Sequence, residues 1–338
     1  MRNRIMQLLF MVLLITSFFS GNILAQQNIQ FSQYAFNGLS VNPAYAGYKG
    51  DWYLNGIYRH QWAGFPGAPR TGGISIDGLT NANENRVGLG AQVMFDRLGP
   101  QESLSAYGSY AYRIPLDEND TKRLCLGIGG GITQYSIDGG SLKYVDDQDL
   151  AIPVEKVSKI IPDVRFGVYY YTPSFYVGVS IMDLLSLYTD DTRYSLGGYN
   201  YQTIRKTQHF YLSTGYLINL SEELKLRPSI MIKEDFKGPT NMDLNAFLLI
   251  SEKLWIGGSY RTGVSFWGKP ALSPDLSQLD AASVIVEFYT NSKLRIGYSY
   301  DLSLNKMAGQ QRGSHEISVG YLFNSNKNKS RITSPRYF

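Results

Sequence analysis

Beyond residue 50, apolar and polar positions alternate with a period of two, and the helical period barely appears. In Lys293–Leu302, Leu294, Ile296, Tyr298, Tyr300 and Leu302 share one face opposite Lys293, Arg295, Gly297, Ser299 and Asp301. In 86–96, Val87, Leu89, Ala91, Val93 and Phe95 oppose Gly88, Gly90, Gln92 and Asp96. Leu226, Pro228, Ile230 and Ile232 likewise oppose Lys225, Arg227, Ser229 and Lys233. With turn residues as boundaries, the pattern predicts strands near 51–62, 70–79, 86–96, 102–114, 122–137, 162–171 and 174–184. Seven more follow near 207–220, 223–234, 240–250, 253–262, 281–290, 292–302 and 313–324.

The expected fold is therefore all-β, with about fourteen strands of about ten residues, the length of a tilted bilayer-crossing strand. Tight turns such as Thr290-Asn291-Ser292 and Ser221-Glu222 contrast with longer loops at 139–161, 186–206 and 263–280. Short turns on one rim and long loops on the other describe an outer-membrane barrel. The polar face carries Arg113, Arg165, Arg227, Arg261, Arg295, Asp163, Glu287 and Asp301. A soluble sandwich would alternate too. Uniform strands over the whole chain favour closure in lipid, which removes every sheet edge. Tyr53, Tyr58, Trp62, Tyr110, Tyr112, Tyr169, Tyr170, Tyr211, Trp255, Tyr298, Tyr300 and Phe323 lie near strand ends and are expected to form interfacial girdles. Ordinary strand propensity is the plainer account of the same aromatics.

Glycine adds a second pattern. With Leu124, Leu126, Ile128 and Ile132 outward, Cys125, Gly127, Gly129 and Gly131 face inward, as do Gly88, Gly90 and Gly257. Glycine inside a strand marks close approach of another backbone, so residues 26–50 are the expected occupant of the lumen. Relief of wall curvature is the alternative reading of the same glycines.

The ends of the chain refine this picture. Residues 1–25 read as a signal peptide, with Arg2 and Arg4 before an apolar Leu8–Phe19 and cleavage after Ala25. That apolar run is short for a spanning helix. Without Arg2 and Arg4, thirty basic residues face twenty-eight acidic ones, which gives no reason to expect nucleic-acid binding. Cys125 is the single cysteine, so neither an intrachain disulfide nor a thiolate metal cluster is expected. The domain plan is a signal peptide (1–25), an aromatic and amide-rich segment at the rim or in the lumen (26–50), the barrel (51–324) and a basic periplasmic tail (325–338).

Candidate chemistry is thin. Ser314, His315 and Glu316 are adjacent, and adjacent strand residues point to opposite faces, so they form no hydrolytic triad. His60, His209 and His315 sit on distant strands, and Asp146, Asp147 and Asp149 lack calcium-loop spacing. No enzyme activity, metal or cofactor is expected.

One further pattern is specific. QFSQYAFNGLSVNPAYAG at 30–47, YRHQWAGFPGAPRT at 58–71, GYSYD at 297–301, GSHEISVGY at 313–321 and PRYF at 335–338 resemble, in order, the PorP/SprF family of type IX secretion membrane proteins. The departure is Ala35 to Gly38, where a Met and a bulkier last residue are the family habit. The resemblance implies an outer-membrane barrel of a Bacteroidetes-type bacterium that assists secretion or surface attachment of a partner such as a large adhesin, alongside other type IX components. A passive porin or small-solute channel is the other function open to such a barrel. The expected plug or partner contacts are Phe31, Gln33, Tyr34, Phe36, Asn42, Pro43, Tyr45, Arg59, Gln61, Trp62, Gly67 and Pro69. Arg59 and Gln61 fall on the polar face of the first strand, Trp62 is expected outward, and Gly127, Gly129, Gly131, Arg261, Arg295 and Asp301 are expected in the lumen.

Overall fold

The computed structural model describes residues 29–323, apart from 81–85, 120, 142–155, 188–192, 197–198, 203–206, 237, 270–278 and 292. The signal peptide, the acidic loop at Asp146–Asp149 and the tail from 325 lie outside the described residues. Alternation becomes a continuous antiparallel wall. Its first half contains β1 (Trp52–His60), β2 (Arg70–Leu79), β3 (Val87–Leu98), β4 (Gln101–Pro115), β5 (Arg123–Asp138), β6 (Lys156–Tyr171) and β7 (Phe175–Met182). A separate small hairpin, β8 (Arg193–Leu196) and β9 (Tyr199–Gln202), follows. The wall resumes with β10 (His209–Tyr216), continued past Leu217 by β11 (Ile218–Asn219). It ends with β12 (Leu224–Glu234), β13 (Thr240–Ile250), β14 (Leu254–Val264), β15 (Leu279–Tyr289), β16 (Leu294–Ser303) and β17 (Ser314–Phe323). Neighbours in sequence pair throughout, β1 pairs with β17, and β10 pairs with β12, so fourteen strands close into a barrel.

The wall settles the choice between sandwich and barrel because its polarity is inverted. Ile74 is 62% exposed and Val284 56%, whereas Arg113, Arg227, Arg295, Glu287 and Glu316 are fully buried. A continuous apolar exterior around a charged interior is stable only in lipid. The connections β2–β3, β4–β5, β6–β7, β13–β14 and β15–β16 form a short-turn rim that also holds the start of β1 and the end of β17. By the general rule for such barrels this rim is periplasmic, and the long-loop rim faces outward.

Several expectations need correction. β6 begins at Lys156 rather than 162, because β5 runs to Asp138 and its last six residues pair with 156–161. Loop 186–206 contains the β8–β9 hairpin. The aromatic girdle is smaller than expected. Tyr58, Tyr110, Tyr298 and Phe323 are exposed on the outer wall, but Tyr53, Tyr169, Tyr211 and Trp255 have lumenal parity and are buried. Trp62 is not an outward strand residue either. β1 stops at His60, and Trp62, with φ of 51°, turns the chain into the rim beside the lumen.

Candidate functional site

Residues 29–50 run down the lumen from the outer half to the periplasmic rim in three short 3-10 turns, Tyr34–Phe36, Gly38–Ser40 and Pro43–Tyr45. Irregular backbone at membrane depth is tolerated only where its polar groups find partners inside the protein. Each turn meets a different group of wall residues.

At the outer end, Ser32 and Gln33 donate their backbone N–H groups to the two oxygens of Glu316, at 2.9 and 2.8 Å. Arg59 reaches the same centre, 3.1 Å from Glu316 and 2.6 Å from Asp301. The Ser32 hydroxyl accepts from Arg59 and donates to Asp301. The Gln33 amide donates to the Glu316 carbonyl and accepts from Ser318. Phe31 packs with Ile57 and Met94.

At mid-depth, Tyr34 accepts a 2.6 Å hydrogen bond from Asn245, and the Lys233 ammonium stands 5.6 Å from its ring. Lys233 and Arg261 share Asp243, at 2.7 and 3.1 Å. Phe36 meets Phe247 and Trp255 edge-on, and the Arg227 guanidinium lies 4.4 to 4.9 Å from all three rings. Such stacked cations suit a guanidinium that must be buried. Arg295 pairs with Glu287 at 2.7 Å, donates to Asn55, and reaches the Phe36 carbonyl at 3.4 Å.

The third turn follows from Asn42-Pro43. Asn42 is extended (φ −151°, ψ 116°), as the residue before proline should be, and Pro43 opens the turn. The Asn42 carboxamide caps the turn by accepting from Ala44 N and donates to the carbonyls of Val168 and Val179 in the wall. Ser180 donates to the Val41 carbonyl, and Asp77 accepts from Gly47 N at 2.9 Å. Tyr45 and Tyr48 stack on each other and pack against Tyr169, with Tyr171 beyond.

The glycine row fits this segment closely at two positions. A Cβ on Gly127 would lie 2.2 Å from Ala44 N, and one on Gly88 would lie 2.0 Å from Ala46 O. Gly129 and Gly131 are also inward, but they meet wall atoms rather than the segment.

The structure thus gathers Phe31, Gln33, Tyr34, Phe36, Asn42, Pro43, Tyr45 and Arg59 around the lumenal segment. It separates Gln61, Trp62 and Pro69, which line a cavity of about 400 Å³ above that segment. Gly67 holds the adjoining turn at φ 73°, its carbonyl accepting from Gly99. Sequence reasoning missed Ser32, Asp77, Asn245 and Glu316 as anchors, although the lumenal parity of Asp77, Asn245 and Glu316 could be counted from the strand pattern. His315 faces outward and bonds Tyr298, away from Glu316. Among the described residues no group of histidine, cysteine and carboxylate side chains could hold a metal ion.

A closed antiparallel wall, apolar outside and charged within, defines an outer-membrane β-barrel protein. The chain belongs to the family of type IX secretion system membrane proteins PorP/SprF, whose model matches residues 23–321. A search of curated proteins finds no match. Among solved structures it is similar to the Ralstonia pickettii toluene transporter TbuX, at 9% identity and TM-score 0.51, covering 85% of this chain and 93% of that one. It is similar to the CymD monoaromatic hydrocarbon channel at 10% identity and TM-score 0.51, covering 86% and 93%. The Acinetobacter baumannii outer membrane protein Omp33 matches at 9% identity and TM-score 0.45, covering 82% and 100%. These likenesses concern the fold.

Proposed function

We propose that this chain is a non-enzymatic, plugged barrel that assists the export or surface attachment of a partner protein, such as a large adhesin, together with other type IX components. One observation carries the reading: residues 31–48 are bonded to the wall at three depths inside the bore that a solute would have to cross. A passage for solutes needs an open route, and this lumen has charge pairs and aromatic stacks where that route would run. The barrel then serves as a scaffold whose rims, rather than its bore, meet other proteins. The likeness to hydrocarbon channels supports a shared wall and no more.

Deletion of the gene tests the reading. Cells lacking this chain should make the partner but fail to display it at the surface, and plasmid-borne copies should restore display. Unchanged surface levels of every type IX cargo in the deletion strain would refute it.

A further inference from the structure

The outward face of the wall carries one basic row that neither the lumenal segment nor the bore uses. Barrel closure at β1 and β17 brings His60 and His315 to directly opposed positions, and His60 in turn opposes Arg70 on β2. Arg70 opposes Arg97 on β3, and Tyr300 flanks His315 on β16. Strand parity turns all five to the outside, opposite the lumenal Arg59, Thr71, Asp96, Asp301 and Glu316. At one strand spacing per step, His315, His60, Arg70 and Arg97 span about 14 Å.

Charge sets this row apart. Like charges directly opposite each other destabilise a sheet. Arg70 with Arg97 is the one directly opposed pair of the described ladder that joins two arginines or lysines. Arg70 is exposed and makes no ion pair among the described residues. Arg97 is 58% exposed and stands 3.5 Å from Glu102, a carboxylate that Lys156 also holds at 2.5 Å. Three cations therefore meet one carboxylate here, and an anion set between the two guanidinium groups would turn repulsion into a bridge.

Height is the second observation. One step down the same strands, toward the middle of the wall, the outward positions are Tyr298, Ile317, Tyr58 and Phe95, each between 43% and 52% exposed. The basic row thus lies where the apolar band ends and the long-loop rim begins, the headgroup level of the outer leaflet.

We propose that this row binds the phosphate of an outer-leaflet lipid whose acyl chains lie on the apolar wall beneath it. The planar fork of arginine matches phosphate oxygens two at a time, and two adjacent forks can hold one headgroup. The His60 imidazole adds a neighbouring N–H, and the His315 ring is held beside it by a 2.7 Å hydrogen bond between its Nδ1 and the Tyr298 hydroxyl. A soluble anion would use the charge alone, whereas a lipid uses the charge and the apolar surface continuous with it. The site needs only the barrel in its outer-membrane orientation and is independent of the export role.

Full-length protein in a non-ionic detergent would be titrated with diphosphoryl lipid A and with lipid A stripped of its phosphates, and native mass spectrometry would count the lipid bound. The phosphorylated lipid should bind saturably and at least about tenfold more tightly, the scale of one charge-assisted contact. Inorganic phosphate and a polyglutamate peptide, added as competitors, separate the lipid from a free anion and from an acidic partner protein, and neither should displace it. Arg70→Gln combined with Arg97→Gln should weaken lipid binding at least about tenfold, while Lys253→Gln on the periplasmic rim should not. In lipid-free detergent Arg70→Gln alone should raise the unfolding temperature, because it removes the like-charge repulsion. Heat-modifiable gel mobility checks that each variant is folded. Equal affinity for the two lipids, displacement by phosphate or polyglutamate, unchanged binding in the folded double variant, or a lower unfolding temperature in Arg70→Gln would each overturn the proposal.

Discussion

At the scale of single residues, the wall and the lumenal segment fit so closely that one methyl group should register. Ala at Gly127 places its Cβ on the Ala44 backbone, which cannot yield as a side-chain tip can. Gly130 is the neighbouring control, since it faces outward and a Cβ there meets nothing within 4 Å. Gly127→Ala should lower stability by about 1–3 kcal/mol, the usual range for overpacking. Gly130→Ala should stay within about 0.5 kcal/mol. Urea unfolding midpoints in detergent check the pair, and equal midpoints would sever the glycine row from the lumenal occupant. Lys49, at the periplasmic end, offers a pH test. Burial pushes its ammonium down to about 7, helped by repulsion from Arg295 and Arg227. The unfolded chain holds that proton to about pH 10.4. Between about pH 7 and 10.4 the unfolded state binds more protons, so stability rises with pH across that window. Below about pH 7 the cost of the buried charge is present in full. Lys49→Met should therefore gain over wild type at pH 6 and lose that advantage near pH 10. A gain of the same size at both would mean that Lys49 keeps an ordinary ammonium.

At the scale of elements, the outer anchor of the lumenal segment rests on β17. Glu316 holds Ser32, Gln33 and Arg59 together, so Glu316→Ala frees two buried backbone donors and leaves Arg59 with Asp301 as its carboxylate partner. A buried donor left without its partner costs about 1–3 kcal/mol. The segment, not the wall, should take the loss. Amide exchange should accelerate at Ser32 and Gln33 while the β16–β17 ladder keeps its protection, and unchanged exchange at both residues would remove Glu316 from this role. The elements themselves were largely legible in the sequence, because each strand has a lipid face that tolerates few exceptions. Where the legible pattern ended, so did the fit. Pro162 obscured the outer third of β6, whose register comes from β5 rather than from its own alternation. The β8–β9 hairpin left a clue in Gly197-Gly198, a two-residue turn signal between aromatic runs. Lumenal parity was countable at Tyr53, Tyr169 and Trp255. Which of these residues would stack on an inserted segment depends on partners far away in the chain, and no local pattern carries that information.

At the scale of the whole molecule, the barrel closes around its circumference where β10 meets β12 and β1 meets β17. Residues 31–48 lie along its axis, from the outer half of the bore to the periplasmic rim. Conductance separates a conduit from a scaffold, because a fourteen-stranded wall without its occupant would leave a water-filled passage. In planar bilayers, the intact protein should give no large steady current. A variant lacking residues 30–46 should conduct steadily, provided heat-modifiable mobility shows its wall intact. Large steady openings from the intact barrel would make the lumenal segment a gate at most and would favour the channel reading. A silent deletion variant with a folded wall would mean that other parts of the chain close the bore. The expected pair of results, silent when intact and open when emptied, would fix the lumenal segment as the seal of a barrel built to hold partners at its rims.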